Sequence, residues 1–359
     1  MERRANLEGT SIVRFIAAMM VVSFHVALMP PLEMSEHLRF ITNFGGFGVP
    51  LFYILSAFML SYGYRGQLDS AEQMRRFYTR RFWRIAPLFY VMMAFYFAYL
   101  WVMHRQIVDP AKLLTSATFT MNLVPGHVTG FVFASWSIGV EMLFYAVFPL
   151  LVLAITNVWR AAAFFVGSVG ILVLWTNGFA SAEGELKQFG TFSLIAHLHY
   201  FSLGMLAYFI WRTVPWRPAL HRAVAVVAVC LLVALVLWSG TLQQWMGHPL
   251  LTVCWGMALT VLAIGLSFEK ASRLVRPLVM LGEASFSLYL LHPAIIAVMI
   301  HGGLYKWIYS VIPGHFLAYA LSLAATLAVL FPLSLLTYEQ IEKRFRSGWG
   351  RKLQPVPVS

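Results

Sequence analysis

Ten times between residues 12 and 337 the chain runs through 17 to 22 residues that are almost entirely apolar. A helix of about 20 such residues crosses a hydrocarbon core ~30 Å thick, where every backbone N–H and C=O must be satisfied within the protein. The runs cover 12–30, 47–64, 84–103, 137–157, 161–177, 192–211, 223–239, 250–267, 281–300 and 316–337. Only 11% of the 359 residues are charged, whereas a soluble domain carries about 25%. Soluble and disordered classes are thereby excluded. The sequence predicts an all-α, polytopic integral membrane protein of about ten transmembrane helices.

The basic residues orient it. The formal net charge is +12. With both termini cytoplasmic, twenty Lys and Arg fall in inside segments and five outside, and Arg14 alone lies within a span. Cytoplasmic loops collect Lys and Arg in this way, so the charge reports topology and not a nucleic-acid partner. The layout implies one transmembrane domain over 1–345 and a short cytoplasmic tail over 346–359. The N-terminus is basic and then apolar, but no small-x-small cleavage site follows His25, so the first span is expected to stay attached. Cys230 and Cys254 both sit in apolar runs and read as packing residues, not as a disulfide framework or zinc site. The connection 104–135 contains apolar stretches of its own and is expected to dip back toward the membrane.

Ionisable groups inside a span are costly, so each needs a partner or a purpose. Arg14 and His25 are eleven residues apart; at ~100° and 1.5 Å per residue they share one helix face, roughly 16 Å from each other. That face presents a guanidinium near the cytoplasmic mouth and an imidazole in the outer half. Plainer readings stand beside this one: Arg14 snorkelling to the interface, and His25 as a packing histidine. Ser137, Glu141 and Tyr145 follow at i, i+4, i+8 and form a polar stripe. Glu141 is expected at a depth like that of His25, where a carboxylate could orient the ring and raise its basicity. Ser285, Tyr289 and His292 make a further polar face, with His292 either a second catalytic group or a packing element. The loop "YRGQLDSAEQMRRFYTRRFWR" carries Arg80, Arg81 and Arg84, either as an ordinary positive-inside loop or as a dock for an anionic cytosolic ligand. HExxH, CxxC, G-x-S-x-G, Walker and Rossmann signatures are lacking, so no metal is expected.

Seven stretches together resemble the acyltransferase-3 family of integral membrane O-acyltransferases. "LEGTSIVRFIAAMMVVSFH" is similar to its first helix, marked by Arg, ten residues and His, here Arg14 and His25. "GVPLFYILSAF", with Ser56, resembles its Gly-x-x-x-Phe-Phe-x-x-Ser-Gly-Phe element, and "FYTRRFWRIAPLFY" its basic motif before the third helix. "WSIGVEMLFYAVFPLL", opening on Trp136, resembles its Trp-Ser-x-x-x-Glu helix. "FSLGMLAYFIWR", "LGEASFSLYLLHP" and "LTYEQIEKRFR" resemble its later signatures. Ala57 departs from the Gly usual there, and Met142 and Leu143 leave Glu141 as the sole acid of its motif. With no hydrolase-like domain appended, a stand-alone member is expected.

The resemblance implies transfer of an acyl group, most often acetyl, from cytosolic acyl-CoA to a hydroxyl of an extracytoplasmic carbohydrate or lipid-linked glycan, in a bacterial inner membrane. In that scheme His25 and Glu141 are catalytic, and Arg14, Arg80, Arg81 and Arg84 hold the donor. Ser56, Trp136, Ser137, Tyr145, Ser285, Tyr289 and His292 line or support the pathway. Acyl-CoA is a co-substrate and no bound cofactor is implied; membrane lipids surround the chain, and a homo-oligomer is compatible with it. The competing class is a transporter or flippase without chemistry, since intramembrane Arg, His and Glu also mark substrate pathways.

Overall fold

The computed structural model describes residues 7–345 apart from 31, 34, 106 and 107. The tail expected over 346–359, with its basic residues, and Arg3 and Arg4 lie outside the described residues. Among those described, fourteen α-helices form and no strand does. Eight helices are long and apolar enough to cross a membrane, and a bent pair makes a ninth.

The tenth crossing is concealed in the longest helix. α10 (Pro218–Gly265) has 48 residues, about 72 Å at 1.5 Å per residue, more than two hydrocarbon thicknesses. It turns at Gly247, whose φ of 77° and ψ of 164° are not helical, just before Pro249. The second half returns beside the first: a methyl on Gly265 would stand 2.7 Å from the Ala225 nitrogen, and His221 Nδ1 lies 3.2 Å from the Gly265 carbonyl oxygen. Glycine supplies the positive φ that a side chain would resist. Each sequence-derived apolar run therefore falls on helix, the run 281–300 on a pair bent at Ala284.

α1 (Glu8–Leu28) runs through the middle of the bundle. It packs on α3 (Gly48–Tyr64), α12 (Ser285–His301) and α14 (His315–Thr337). Lipid offers no hydrophobic drive between helices, so small residues and close approach hold them together. A methyl on Gly48 would lie 2.4 Å from the Ala17 carbonyl oxygen, and one on Gly204 in α9 (Leu194–Trp211) 2.1 Å from that of Ile54. The second crossing explains Ala57. Its methyl is fully buried against Gly204, so the side chain gained on α3 faces a glycine on α9.

α4 (Ala71–His104) opens on a capping box between Ser70 and Gln73 and carries Arg81 and Arg84 toward the interior. α6 (Trp136–Ala154) follows, and its last carbonyls are met by arginines: Arg65 Nη1 reaches Ile155 O at 3.1 Å and Arg160 Nη1 reaches Ala154 O at 3.0 Å. Cations at a helix C-terminus complement its dipole. Arg276 joins Glu8 at the start of α1 at 2.8 Å, Arg81 Nη2 meets Tyr64 at the end of α3, and Arg160 lies in the first turn of α7 (Val158–Gly178).

The short helices are connectors: α2 (Arg39–Phe44), α5 (Pro110–Ala117), α8 (Gly184–Phe192), α11 (Arg276–Glu283) and α13 (Leu304–Val311). α11 and α12 are bent by 65°. The start of α12 is tied to the end of α14: Thr337 Oγ1 donates to Ser287 Oγ at 2.9 Å, and Ser287 to the buried Glu342 carboxylate at 2.5 Å. A buried carboxylate needs such donors, which gives the closing "LTYEQIEKRFR" motif a structural use. After α5 the connection 104–135 buries Phe119, Met121, Val128 and Val132 in the bundle, and its last residues face the site.

Candidate active site

Arg14 and His25 do share a face of α1, but they open into different cavities. The first, of about 200 Å³, is bounded by Arg14, Arg81, Arg84, Ser56, Glu141 and Tyr145, among others. The second, of about 750 Å³, is bounded by His25, Phe24, Tyr96, Phe133 and Trp136, with further apolar walls. Val49 of α3 and Tyr289 of α12 belong to both, so these two side chains stand between the chambers.

In the arginine cavity the polar stripe of α6 faces α3. Ser56 Oγ donates to Glu141 Oε1 at 2.8 Å, and the Tyr145 hydroxyl donates to the same oxygen. Arg81 Nη2 donates to the Tyr64 hydroxyl at 3.1 Å, with its guanidinium carbon 5.3 Å from the Tyr64 ring centre and 5.8 Å from that of Tyr145. Its Nε is buried without a partner among the described residues. Three guanidiniums against one carboxylate leave the chamber net positive, and Arg offers the forked donors that suit phosphate. Ser285 lines this chamber too; Arg80, expected beside Arg81 and Arg84, is exposed and lies outside the lining.

In the histidine cavity the imidazole is fixed from one side. His25 Nδ1 lies 3.0 Å from the Val21 carbonyl oxygen and 3.0 Å from His292 Nε2. A carbonyl only accepts, so Nδ1 carries the proton, shared with the His292 nitrogen, and the lone pair is on Nε2. No hydrogen bond reaches Nε2 from the described residues. The Phe24 and Phe133 rings stand edge-on to the imidazole, with centroids 5.1 and 5.6 Å away. Such a nitrogen is equipped to take a proton from a hydroxyl that enters the cavity.

The expected pairing of His25 with Glu141 is not formed. Glu141 is one turn past Ser137 on α6 and turns toward Ser56, into the arginine cavity, while the Nδ1 that a carboxylate would orient is already held by Val21 and His292. His292 is the partner, a contact compatible with either of its sequence readings. The stripe does reach the divide at its first residue: Tyr289 and Ser137 hydroxyls are 2.6 Å apart, and the Tyr289 hydroxyl donates to Ala134 O at 3.0 Å. Phe133, Tyr96 and the Val21 carbonyl escaped the sequence reading, because an aromatic or a backbone oxygen carries no motif. Among the described residues no group of three His, Cys, Asp or Glu is placed to hold a metal ion.

The fold and site define a polytopic helical membrane protein with a cation-lined chamber and a histidine-bearing chamber on either side of a thin wall, and its relatives supply the activity class. Residues 8–337 match the acyltransferase-3 family, described as an acyltransferase domain. The chain belongs to that family and is an integral, multi-pass membrane acyltransferase. It is 26% identical over 373 aligned positions to a protein of Komagataeibacter xylinus described as a membrane-bound transacylase, BcsY, covering 95% of this chain and 82% of the relative. It is 27% identical over 319 positions to acyltransferase MdmB of Streptomyces mycarofaciens, covering 81% of this chain and 79% of the relative. No solved structure matches.

Proposed function

We propose that this acyltransferase takes its acyl group, most simply acetyl, from acyl-CoA and delivers it to an acceptor hydroxyl at His25. The arginine end of the bundle faces the cytosol, in keeping with the charge asymmetry of the loops, and receives the polyanionic part of the donor at Arg14, Arg81 and Arg84. The thioester arm extends past Tyr289 and Val49 into the histidine cavity. There His25 Nε2 removes the acceptor proton, the oxygen attacks the thioester carbonyl, the C–S bond breaks and CoA leaves as the thiolate. His292 and the Val21 carbonyl hold the ring and meet the Nδ1 proton as the imidazole becomes charged. Glu141 acts on the donor side, orienting Ser56 and Tyr145 and balancing part of the guanidinium charge. The family resemblance is our ground for expecting a carbohydrate or lipid-linked glycan as acceptor and a bacterial inner membrane as the site of action.

The observation that carries this reading is the division of one helix face: Arg14 and His25, on α1, open into adjacent chambers of opposite chemistry. The test uses washed membranes holding wild type or His25→Ala, supplied with acetyl-CoA labelled in the acetyl group. Label should reach a membrane or envelope product with wild type, and the variant should lose roughly 10²–10⁴-fold in rate, the usual worth of a general base. Wild-type rates in His25→Ala would end the proposal, and label dependent on longer acyl donors would change the donor only.

A further inference from the structure

The histidine cavity says what kind of acceptor it receives. Among the described residues, its lining contains no Asp, Glu, Asn, Gln, Lys or Arg. Its polar groups are few and mostly committed. The Tyr289 hydroxyl is spent on Ser137 and Ala134, and Thr129 Oγ1 is met by Lys112 Nζ at 3.2 Å. The lining carries one more hydroxyl, that of Tyr99, and beside it stand His25 Nε2, the Trp136 indole N–H and the Tyr96 hydroxyl, which is buried with no partner among the described residues. A free sugar ring brings more hydroxyls than these groups can meet, and each hydroxyl desolvated without a partner is penalised. An apolar body gains from the same walls.

The cavity also has an apolar neighbour on the outside of the bundle. A groove of about 300 Å³ between α4 and α12 is bounded by Phe95, Tyr99, Val102, Met103 and Val298. Tyr99 lines both, and Ala297 of the cavity precedes Val298 of the groove. The groove thus continues the catalytic chamber toward the surface that lipid covers.

We infer that the acceptor is a lipophilic alcohol, a single hydroxyl on an apolar ring or chain, which reaches His25 between α4 and α12. This rests on the proposed role of His25 and departs from the carbohydrate hydroxyl that the family resemblance implies: any polar portion of the acceptor stays outside the chamber. The hydroxyl points at Nε2, and the Tyr96 and Trp136 groups meet at most one or two further polar atoms.

The test reads occupancy without acyl-CoA, so it is independent of whether transfer occurs. The full chain in lipid nanodiscs is treated with diethyl pyrocarbonate, and the rate of His25 modification is followed by mass spectrometry against exposed His315 as internal reference. Decanol and cyclohexylmethanol should slow His25 modification about 5-fold or more at concentrations that leave His315 unaffected, and methyl glucoside should not. Ala297→Phe, which narrows the link between groove and cavity, should reduce the alcohols' protection at least 3-fold. Protection by methyl glucoside, no protection by either alcohol, or unchanged protection in Ala297→Phe would each overturn the inference. In those cases label transfer that still depends on His25 would leave the acyltransferase mechanism standing, and loss of that dependence would remove the mechanism with the binding data intact.

Discussion

The two chambers share a helix face, a valine and a tyrosine, yet they are built on opposite principles. The arginine cavity holds charge in low-dielectric surroundings, and several of its polar side chains lean on one another: Glu141 on Ser56 and Tyr145, Arg81 on Tyr64. The histidine cavity has almost no polar lining, and its one base is positioned by a carbonyl and a second histidine. On the proposed mechanism the difference divides the work. Fixed charge is needed where a ligand of fixed charge binds, and a neutral imidazole with a bare lone pair is favoured where a proton must be taken. A substitution should therefore act on donor affinity in one chamber and on turnover in the other.

The contrast breaks most sharply at His25. His25→Ala should lower kcat roughly 10²–10⁴-fold while the donor KM stays within a few-fold, measured as label transfer over a range of acetyl-CoA concentrations. If the KM alone rose, the two chambers would not divide the labour. In the other chamber, Arg81→Ala should raise the donor KM roughly 10- to 100-fold, the worth of a charged hydrogen bond, with kcat little changed. Arg81→Lys should restore only part of it, because a point charge replaces a planar fork. Arg80→Ala, at an exposed position outside the lining, should leave the donor KM within about 2-fold on the same principle that solvated charges contribute little.

Smaller effects sharpen the partner assignment. Ser56→Ala removes a neutral donor to Glu141 and should change donor KM by about 2- to 10-fold, whereas an effect confined to kcat would return Glu141 to the histidine side. Packing supplies the smallest comparison. Gly204→Val should cost about 1–3 kcal/mol by forcing α3 and α9 apart, and Ala57→Gly no more than about 1 kcal/mol, both read from thermal unfolding in detergent.

Much of this molecule was legible before any coordinates. A run of apolar residues reads the same in sequence and in space, because lipid demands a helix wherever the chain crosses it. Each of the ten runs falls on helix, even where two of them are joined through Gly247 and one is bent at Ala284. The shared face of Arg14 and His25 followed from helical periodicity alone, as did the stripe Ser137, Glu141, Tyr145. The error came one step later. Matching Glu141 to His25 by depth treated the membrane as layered in one dimension, whereas partners are chosen by which faces of neighbouring helices meet. α6 presents Glu141 to Ser56 of α3, and α12 presents His292 to His25. Arg80 is ~100° around the helix from Arg81 and exposed, yet its side chain still meets Tyr64 of the chamber wall.

The sequence by itself determined the solvent, the apolar spans and which polar groups lie within them, since all of these depend on local composition and helical period. Only the tertiary structure decided which of those groups touch, because rotation and crossing of helices are set by packing at Gly48 and Gly204 and by hydrogen bonds such as Ser287 to Glu342, between residues far apart in the chain. From those contacts came the wall at Tyr289, the lone pair on His25 Nε2 and the division of one helix face between two chambers.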